Sequence, residues 1–287
     1  MSDPPSWRAL LADAADRLGQ SGLERPEVEA RRLVEEASGY EGSSFHSVLD
    51  RRPQPSQVAN LERMLGRRLA GEPLQYALSR WSFRGLDVMV DHRVLIPRPE
   101  TEVVAEVAIS EAERLGGEVV CADLGTGSGV IAMSLVADLP VAVVFATDVS
   151  AEALEVASAN LGGLGRAAAR VRLREGWWFD ALDEDLRGQL DLVVSNPPYV
   201  ADREELPREV LEWEPTMALL AGPSGRECIE AIIDAALEWL ATPGTLVVEI
   251  APHQADAVAA RARSAGFSEV SVHRDLAGRE RVLVARR

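Results

Sequence analysis

The sequence predicts a doubly wound α/β domain preceded by a small helical-bundle domain and joined to it by a β-hairpin. Three observations predict this. Over about the first 75 residues apolar side chains recur at helical spacing without a strand-like run. Residues 81–97 then switch to short extended runs broken by turn residues. From Pro97 onward, continuous Val/Leu/Ile runs alternate with helical patterns, the order of a βαβ sheet. The expected division is a helical domain at 1–80, a hairpin connector at 81–97 and an α/β domain at 98–287.

Ser6 is placed to cap a helix in which Trp7, Leu10, Leu11, Ala14 and Leu18 form one apolar stripe, ended by Gly19 and Gly22. Pro26 suits a first helical turn ahead of Val28, Leu33, Val34 and Ala37. After a loop at Pro53 to Ser56, Ser56 caps a third pattern of Val58, Leu61, Leu65 and Leu69. Extended runs follow at Trp81 to Phe83, Leu86 to Val90 and Val94 to Ile96, separated by Arg84-Gly85 and Asp91-His92. Helices are expected around Glu100 to Leu115, Val130 to Ala137, Ala151 to Asn160, Cys228 to Leu240 and Gln254 to Ala265. Strands are expected at Val119 to Leu124, Ala142 to Thr147, Val171 to Leu173, Leu190 to Ser195, Thr245 to Ile250, Glu269 to His273 and Arg281 to Ala285. Their continuous apolar cores read as buried parallel strands.

Composition narrows the chemistry. The 287 residues carry a formal charge of −16, so attraction of the whole molecule to nucleic acid or anionic lipid is disfavoured. The charge is uneven: residues 98–287 hold 17 Arg against 32 acids, whereas residues 1–97 hold 13 against 14. All 30 basic residues are Arg, which excludes a Schiff-base lysine or a phosphate-loop lysine. Asp50 to Arg84 holds 7 Arg and 3 acids, and Arg51, Arg52, Arg67 and Arg68 are expected to face a protein partner. The two cysteines, Cys121 and Cys228, make no disulfide framework and fit a reducing cytoplasm as buried small residues. Met1 to Arg8 has no apolar signal core, and no run approaches membrane-spanning length. His46, His92, His253 and His273 are scattered, and no metal site is expected.

Two motifs carry the chemistry. Asp123-Leu124-Gly125-Thr126-Gly127-Ser128-Gly129 falls where a buried strand meets a helix. Its glycines allow a tight turn, close ligand approach and N–H groups aimed outward. Asp148 ends the next strand, where a carboxylate can accept the hydroxyls of a ribose. Position 130 is Val, so the third glycine of the dinucleotide fingerprint is missing, and Asp123 precedes the turn. Those features favour S-adenosylmethionine over NAD.

The second motif, Asn196-Pro197-Pro198-Tyr199, follows the strand Leu190 to Ser195 at the end where open α/β sheets place ligands. A planar nitrogen must be turned toward a methyl group in a linear displacement, and positioning does most of that work. The Asn196 side-chain oxygen and the Pro197 carbonyl can each accept one N–H of a target NH₂ group. The prolines stiffen the turn, and Tyr199 can stack on a planar amide or base. No general base is required. A carboxamide and the exocyclic amine of adenine or guanine both meet these needs.

On these residues the chain resembles the PrmC/HemK family, the peptide chain release factor N5-glutamine methyltransferases. The likeness covers nearly the whole chain. It includes Gly71-Glu72-Pro73-Leu74-Gln75-Tyr76, Leu95-Ile96-Pro97-Arg98-Pro99-Glu100-Thr101-Glu102, Glu214-Pro215 and Arg274 to Arg281. The resemblance implies a Rossmann-like class I S-adenosylmethionine-dependent methyltransferase domain that methylates the glutamine of the Gly-Gly-Gln loop of release factors. It implies that Gly125, Thr126, Gly127, Ser128, Gly129, Asp148, Trp178 and Asn196 contact the donor, and that Asn196, Pro197, Pro198 and Tyr199 form the glutamine site. The N-terminal module resembles the family's release-factor-docking domain, which separates it from a sister family acting on a ribosomal protein. Where relatives carry an acid before an aromatic, this chain reads Gly176-Trp177-Trp178-Phe179, with Asp180 nearby. The long Val200 to Pro223 insertion is a candidate lid, and Glu214 within it a candidate substrate contact.

Overall fold

The computed structural model describes residues 5–287. The first half of the Met1 to Arg8 stretch lies outside them. The chain divides into two compact units, Met1–Arg80 and Trp81–Arg287.

The first unit contains α1 (Trp7–Gln20), α2 (Pro26–Ser38), α3 (Gly42–His46), α4 (Pro55–Leu69) and α5 (Leu74–Leu78). The Ser6 hydroxyl caps α1, accepting from the Ala9 N–H at 3.4 Å. The helix runs past Gly19 to Gln20. Ser56 is not the cap of α4, because Pro55 already occupies the first helical turn and Gln54 stands before it; proline's fixed φ suits that turn. Trp7, Leu10, Ala14 and Leu18 of α1 bury against Leu33 and Val34 of α2, Phe45 of α3, and Leu61, Met64 and Leu65 of α4. That is the stripe the helical spacing prescribes.

The second unit opens with β1 (Arg80–Phe83) and β2 (Leu86–Met89), a two-stranded sheet. Arg84 and Gly85 connect them with φ of 46° and 77°, the pair of positive angles that matches a hairpin's twist. The expected third run, Val94 to Ile96, is not a strand; both end residues are buried in irregular chain leading into α6 (Pro99–Leu115). Then follow β3 (Val119–Leu124), α7 (Val130–Asp138), β4 (Ala142–Asp148), α8 (Ala151–Leu161), β5 (Val171–Glu175) and β6 (Leu190–Ser195). The insertion folds as β7 (Val200–Ala201), α9 (Arg208–Trp213) and β8 (Leu220–Gly222). The unit closes with α10 (Glu227–Trp239), β9 (Leu240–Glu249), α11 (Ala255–Ala265), β10 (Glu269–Arg274) and β11 (Glu280–Arg286).

Seven strands form one sheet in the order β10-β11-β9-β6-β3-β4-β5. The strands β9, β6, β3, β4 and β5 pair in parallel. Of these, β6, β3 and the second half of β9 are almost fully buried, whereas the edge strand β5 carries Arg172, Arg174 and Glu175 and has no buried residue, so the expected buried apolar core does not extend to it. The expectation of parallel pairing fails at the end of the chain: β11 runs antiparallel to β9, and β10 antiparallel to β11. Apolar content cannot distinguish the two cases, since β11 is buried on both faces like its parallel neighbours. Strand order reverses between β3 and β6, so their carboxyl ends open onto the crevice where such sheets take ligands.

Candidate active site

Five residues turn the chain from β3 into α7. Gly125, Gly127 and Gly129 have φ of 71°, 54° and 85°, a region where other residues are strained. A Cβ on Gly125 would lie 3.2 Å from the Trp178 ring, and one on Gly129 3.2 Å from the Ala157 Cβ. The first glycine thus admits Trp178, and the third lets α7 approach α8. The Thr126 N–H donates to the Thr147 carbonyl at 2.8 Å, and the Gly127 N–H to Asp148 Oδ2 at 2.8 Å. Beneath the turn, Asp123 Oδ2 accepts from the Thr126 hydroxyl at 2.7 Å and from the Ala132 N–H at 3.0 Å. Its Oδ1 has no partner among the described residues, and burial pushes its pKa up to about 7.

Asp148 ends β4. Its Oδ1 accepts from the Ser150 N–H at 2.9 Å, so each carboxylate oxygen holds one backbone N–H and keeps lone-pair capacity for a hydroxyl. Burial raises its pKa against these hydrogen bonds.

The turn, Asp148 and the end of β6 face one cavity of about 340 Å³, a size suited to a nucleoside-bearing ligand. Gly125, Thr126, Gly127, Ser128, Asp148, Trp178, Asn196 and Pro198 all line it. Three expected site residues are not among the lining residues. Gly129 packs on Ala157, Pro197 is buried, and Tyr199 packs on the core. Trp178 sits edge-on to Trp177, with ring centroids 6.0 Å apart, and Trp177 is 51% exposed at the cavity's edge. Asp180 is exposed and is not one of the lining residues.

Asn196 is held from behind. Its Nδ2 donates to the Thr101 hydroxyl at 3.1 Å, and that hydroxyl donates to Glu249 Oε2 at 2.8 Å. The Tyr199 hydroxyl donates to Glu249 Oε1 at 3.3 Å. Burial pushes Glu249 up to about 7, opposed by the Thr101 hydrogen bond, the Arg281 charge and Tyr199. The sequence assigns Thr101 no role of its own within the Leu95 to Glu102 segment, and Glu249 does not stand out in it. The available signal was an acid closing an otherwise apolar strand, where a charge demands a partner.

Other expectations change. Glu214 is buried at 5% exposure and pins the insertion: its carboxylate accepts from the Ile96 N–H at 3.1 Å and from Arg98. Its partners are within the protein, in place of the expected substrate contact. Met217 and Pro215, from the same insertion, line the cavity. Cys228 is half-buried at the cavity wall, whereas Cys121 is fully buried. Arg68 cannot face a partner, being buried and paired with Glu29 at 2.6 Å. Arg67 clamps Glu72 through two hydrogen bonds of 2.6 and 2.5 Å. Arg51 and Arg52 are exposed.

Comparison with known proteins gives the class first. A family model described as methyltransferase small domain matches residues 106–212, and the second unit has the class I S-adenosylmethionine methyltransferase fold. A solved methyltransferase structure from Pyrococcus furiosus matches the fold at a TM-score of 0.52 and 19% identity, covering 78% of this chain and 98% of that one. A second model, described as PrmC N-terminal domain, matches residues 9–78. A release factor glutamine methyltransferase of Moorella thermoacetica is 39% identical, over 98% of each chain. Another, from Rhodopirellula baltica, is 34% identical, covering 96% of this chain and 94% of its own. The chain belongs to the release factor glutamine methyltransferase family.

Proposed function

We propose that this enzyme methylates the side-chain amide nitrogen, N5, of the glutamine in the Gly-Gly-Gln loop of peptide chain release factors, with S-adenosylmethionine as donor. The observation that carries the proposal is that Asn196 and the Gly125 to Ser128 turn face the same cavity from the ends of adjacent strands.

The residues present suit the donor. A Cβ on Gly127 would meet nothing within 4 Å, so open space lies above the turn. Asp148 has acceptor capacity for ribose hydroxyls, and Trp178 offers an aromatic wall for adenine. S-adenosylmethionine supplies, when bound, a methyl group carrying the electrophilic character of a sulfonium. Pro198 and Met217 also line the cavity. Asn196 Oδ1 and the Pro197 carbonyl accept the two N–H bonds of the incoming carboxamide, orienting its nitrogen and stabilising the positive charge that develops there. The methylated amide cation is acidic enough to lose its proton to water, so no residue need act as base. Tyr199 supports this turn from the core side rather than from the cavity.

The helical unit serves as the release-factor-docking domain in this reading, and Arg51 and Arg52 are among its exposed cations. The reaction belongs in the cytoplasm, where release factors work. No helix among the described residues is long and apolar enough to cross a membrane.

The test is incubation with methyl-labelled donor and a release factor, followed by mass spectrometry. One added methyl on the loop glutamine is expected. Label that persists after that glutamine is replaced by alanine, or that enters only nucleic acid, overturns the reading.

A further inference from the structure

The segment Leu95 to Glu102 stands out in the sequence, yet nothing above gives its threonine a task in the reaction. Thr101 lies in the first turn of α6, is 2% exposed, and reaches the cavity wall. Helical threonines commonly bond a carbonyl one turn back. Here the hydroxyl instead bridges Asn196 and Glu249, residues 95 and 148 positions away.

A carboxamide has two ends of similar shape and opposite hydrogen-bonding character. A half-turn of the Asn196 amide would exchange Oδ1 for Nδ2 at the cavity, setting donor against the donor hydrogens of a substrate NH₂. The backbone turn alone does not select between these orientations. The hydroxyl of Thr101 does. Its single hydrogen is committed to Glu249 Oε2 at 2.8 Å, so toward Asn196 it offers only lone pairs. Those lone pairs take Nδ2 at 3.1 Å, leaving Oδ1 as the end free for the cavity. Glu249 is itself fully buried and held by the Tyr199 hydroxyl, so both ends of the Asn-Pro-Pro-Tyr turn are tied to one carboxylate.

We infer that Thr101, oriented by Glu249, is a positioning residue that fixes the Asn196 carboxamide with its oxygen toward the substrate nitrogen. The inference rests on the glutamine-methylation reading. It assigns Thr101 to alignment for transfer, separate from holding either the donor or the protein substrate. A purely structural role would tie α6 to β9 and need no particular polarity at Thr101.

The experiment compares Thr101→Val, which removes the hydroxyl at similar volume, with Thr101→Ser, which keeps it. Thr101→Ala serves as a second hydroxyl-free variant if Thr101→Val does not fold. The wild-type enzyme on release factor is the control: failure there overturns the function itself, whereas failure confined to the comparison below overturns only this inference. The hydroxyl-free variant is expected to lose about 10- to 100-fold in kcat. Its KM for release factor and its affinity for S-adenosylhomocysteine should stay within about threefold, and Thr101→Ser should stay within about threefold in kcat.

A second readout needs no turnover. In ¹⁵N-labelled protein, an Asn196 side-chain amide proton should resist solvent exchange in wild type and Thr101→Ser, and lose that protection in the hydroxyl-free variant. Three results overturn the inference: a folded hydroxyl-free variant with unchanged kcat, equal loss in both variants, or Asn196 exchange that is the same in all three proteins.

Discussion

The Ser195 hydroxyl donates to the Leu124 carbonyl at 2.6 Å, joining the last residue of β6 to the last residue of β3. These two residues are also register partners in the sheet. The chain segments that begin immediately after them, at Gly125 and Asn196, therefore leave the sheet side by side. Ser195→Ala should remove this buried bond at a cost of about 1 kcal/mol. That corresponds to a fall in Tm of about 2–4 °C, with a lower kcat/KM. Thermal unfolding and a methylation assay on the same preparation check both outcomes.

Asn196→Ala removes the acceptor proposed for the substrate N–H. Preorganised groups of this kind account for about 100- to 1000-fold in kcat. A loss of that order is expected, with the Tm close to wild type because Asn196 lies at the cavity rather than in the core. Retention of full activity would exclude the role proposed for its oxygen.

Gly125→Ala tests the turn. The left-handed backbone there costs about 1–2 kcal/mol for a residue bearing a Cβ, and the new methyl would press on Trp178 at 3.2 Å. Donor affinity, measured by calorimetry with S-adenosylhomocysteine, should fall by about tenfold or more. Gly129→Ala makes the contrasting case, because its Cβ meets Ala157 rather than the cavity. Its main effect should be on Tm.

Stability should decline as pH rises from the acid range to neutrality. Burial pushes Asp123 and Glu249 up to about 7 from ordinary values of 3.8 and 4.5. The folded protein therefore binds these protons more tightly than the unfolded chain does. Their contribution is complete below the ordinary values and is lost as pH rises through about 7. Asp91 and Glu111 have the opposite sign. Arg93 holds Asp91 below its ordinary value, and Arg286 and Arg114 outweigh burial at Glu111. Their contributions are lost only as pH falls below the usual carboxylate range. From about pH 5 to pH 8 the Tm should fall, and Asp123→Asn or Glu249→Gln should each flatten that slope.

Glu214→Gln should loosen the insertion. It keeps the side-chain shape but weakens the charged pairing with Arg98 inside a 5%-exposed site, an effect of about 1–3 kcal/mol. Met217 and Pro215 come from the same segment and line the cavity. The expected kinetic sign is thus a higher KM for the release factor with a smaller change in kcat.

Much of this molecule is legible in its sequence. The stripe Trp7, Leu10, Ala14, Leu18 predicted the buried face of α1 because helical period is a local property. The glycine turn and the prolines after Ser195 were legible for a related reason, since each restricts its own backbone. Two elements carry competing local signals. Val94 to Ile96 has strand-like residues but pairs with no strand, and β11 is as apolar as a parallel strand while running antiparallel.

From sequence alone came the order of the main helices and strands of the sheet and the placement of both motifs at strand ends. These depend on periodicity and backbone restriction, which act over a few residues. The tertiary structure decided that Arg68 turns inward to Glu29, that Glu214 is an internal pin, and that Thr101 and Glu249 stand behind Asn196. Each of these is a hydrogen bond or ion pair between residues 39 to 148 positions apart. Such pairings follow from how the elements pack, and no local spacing encodes them.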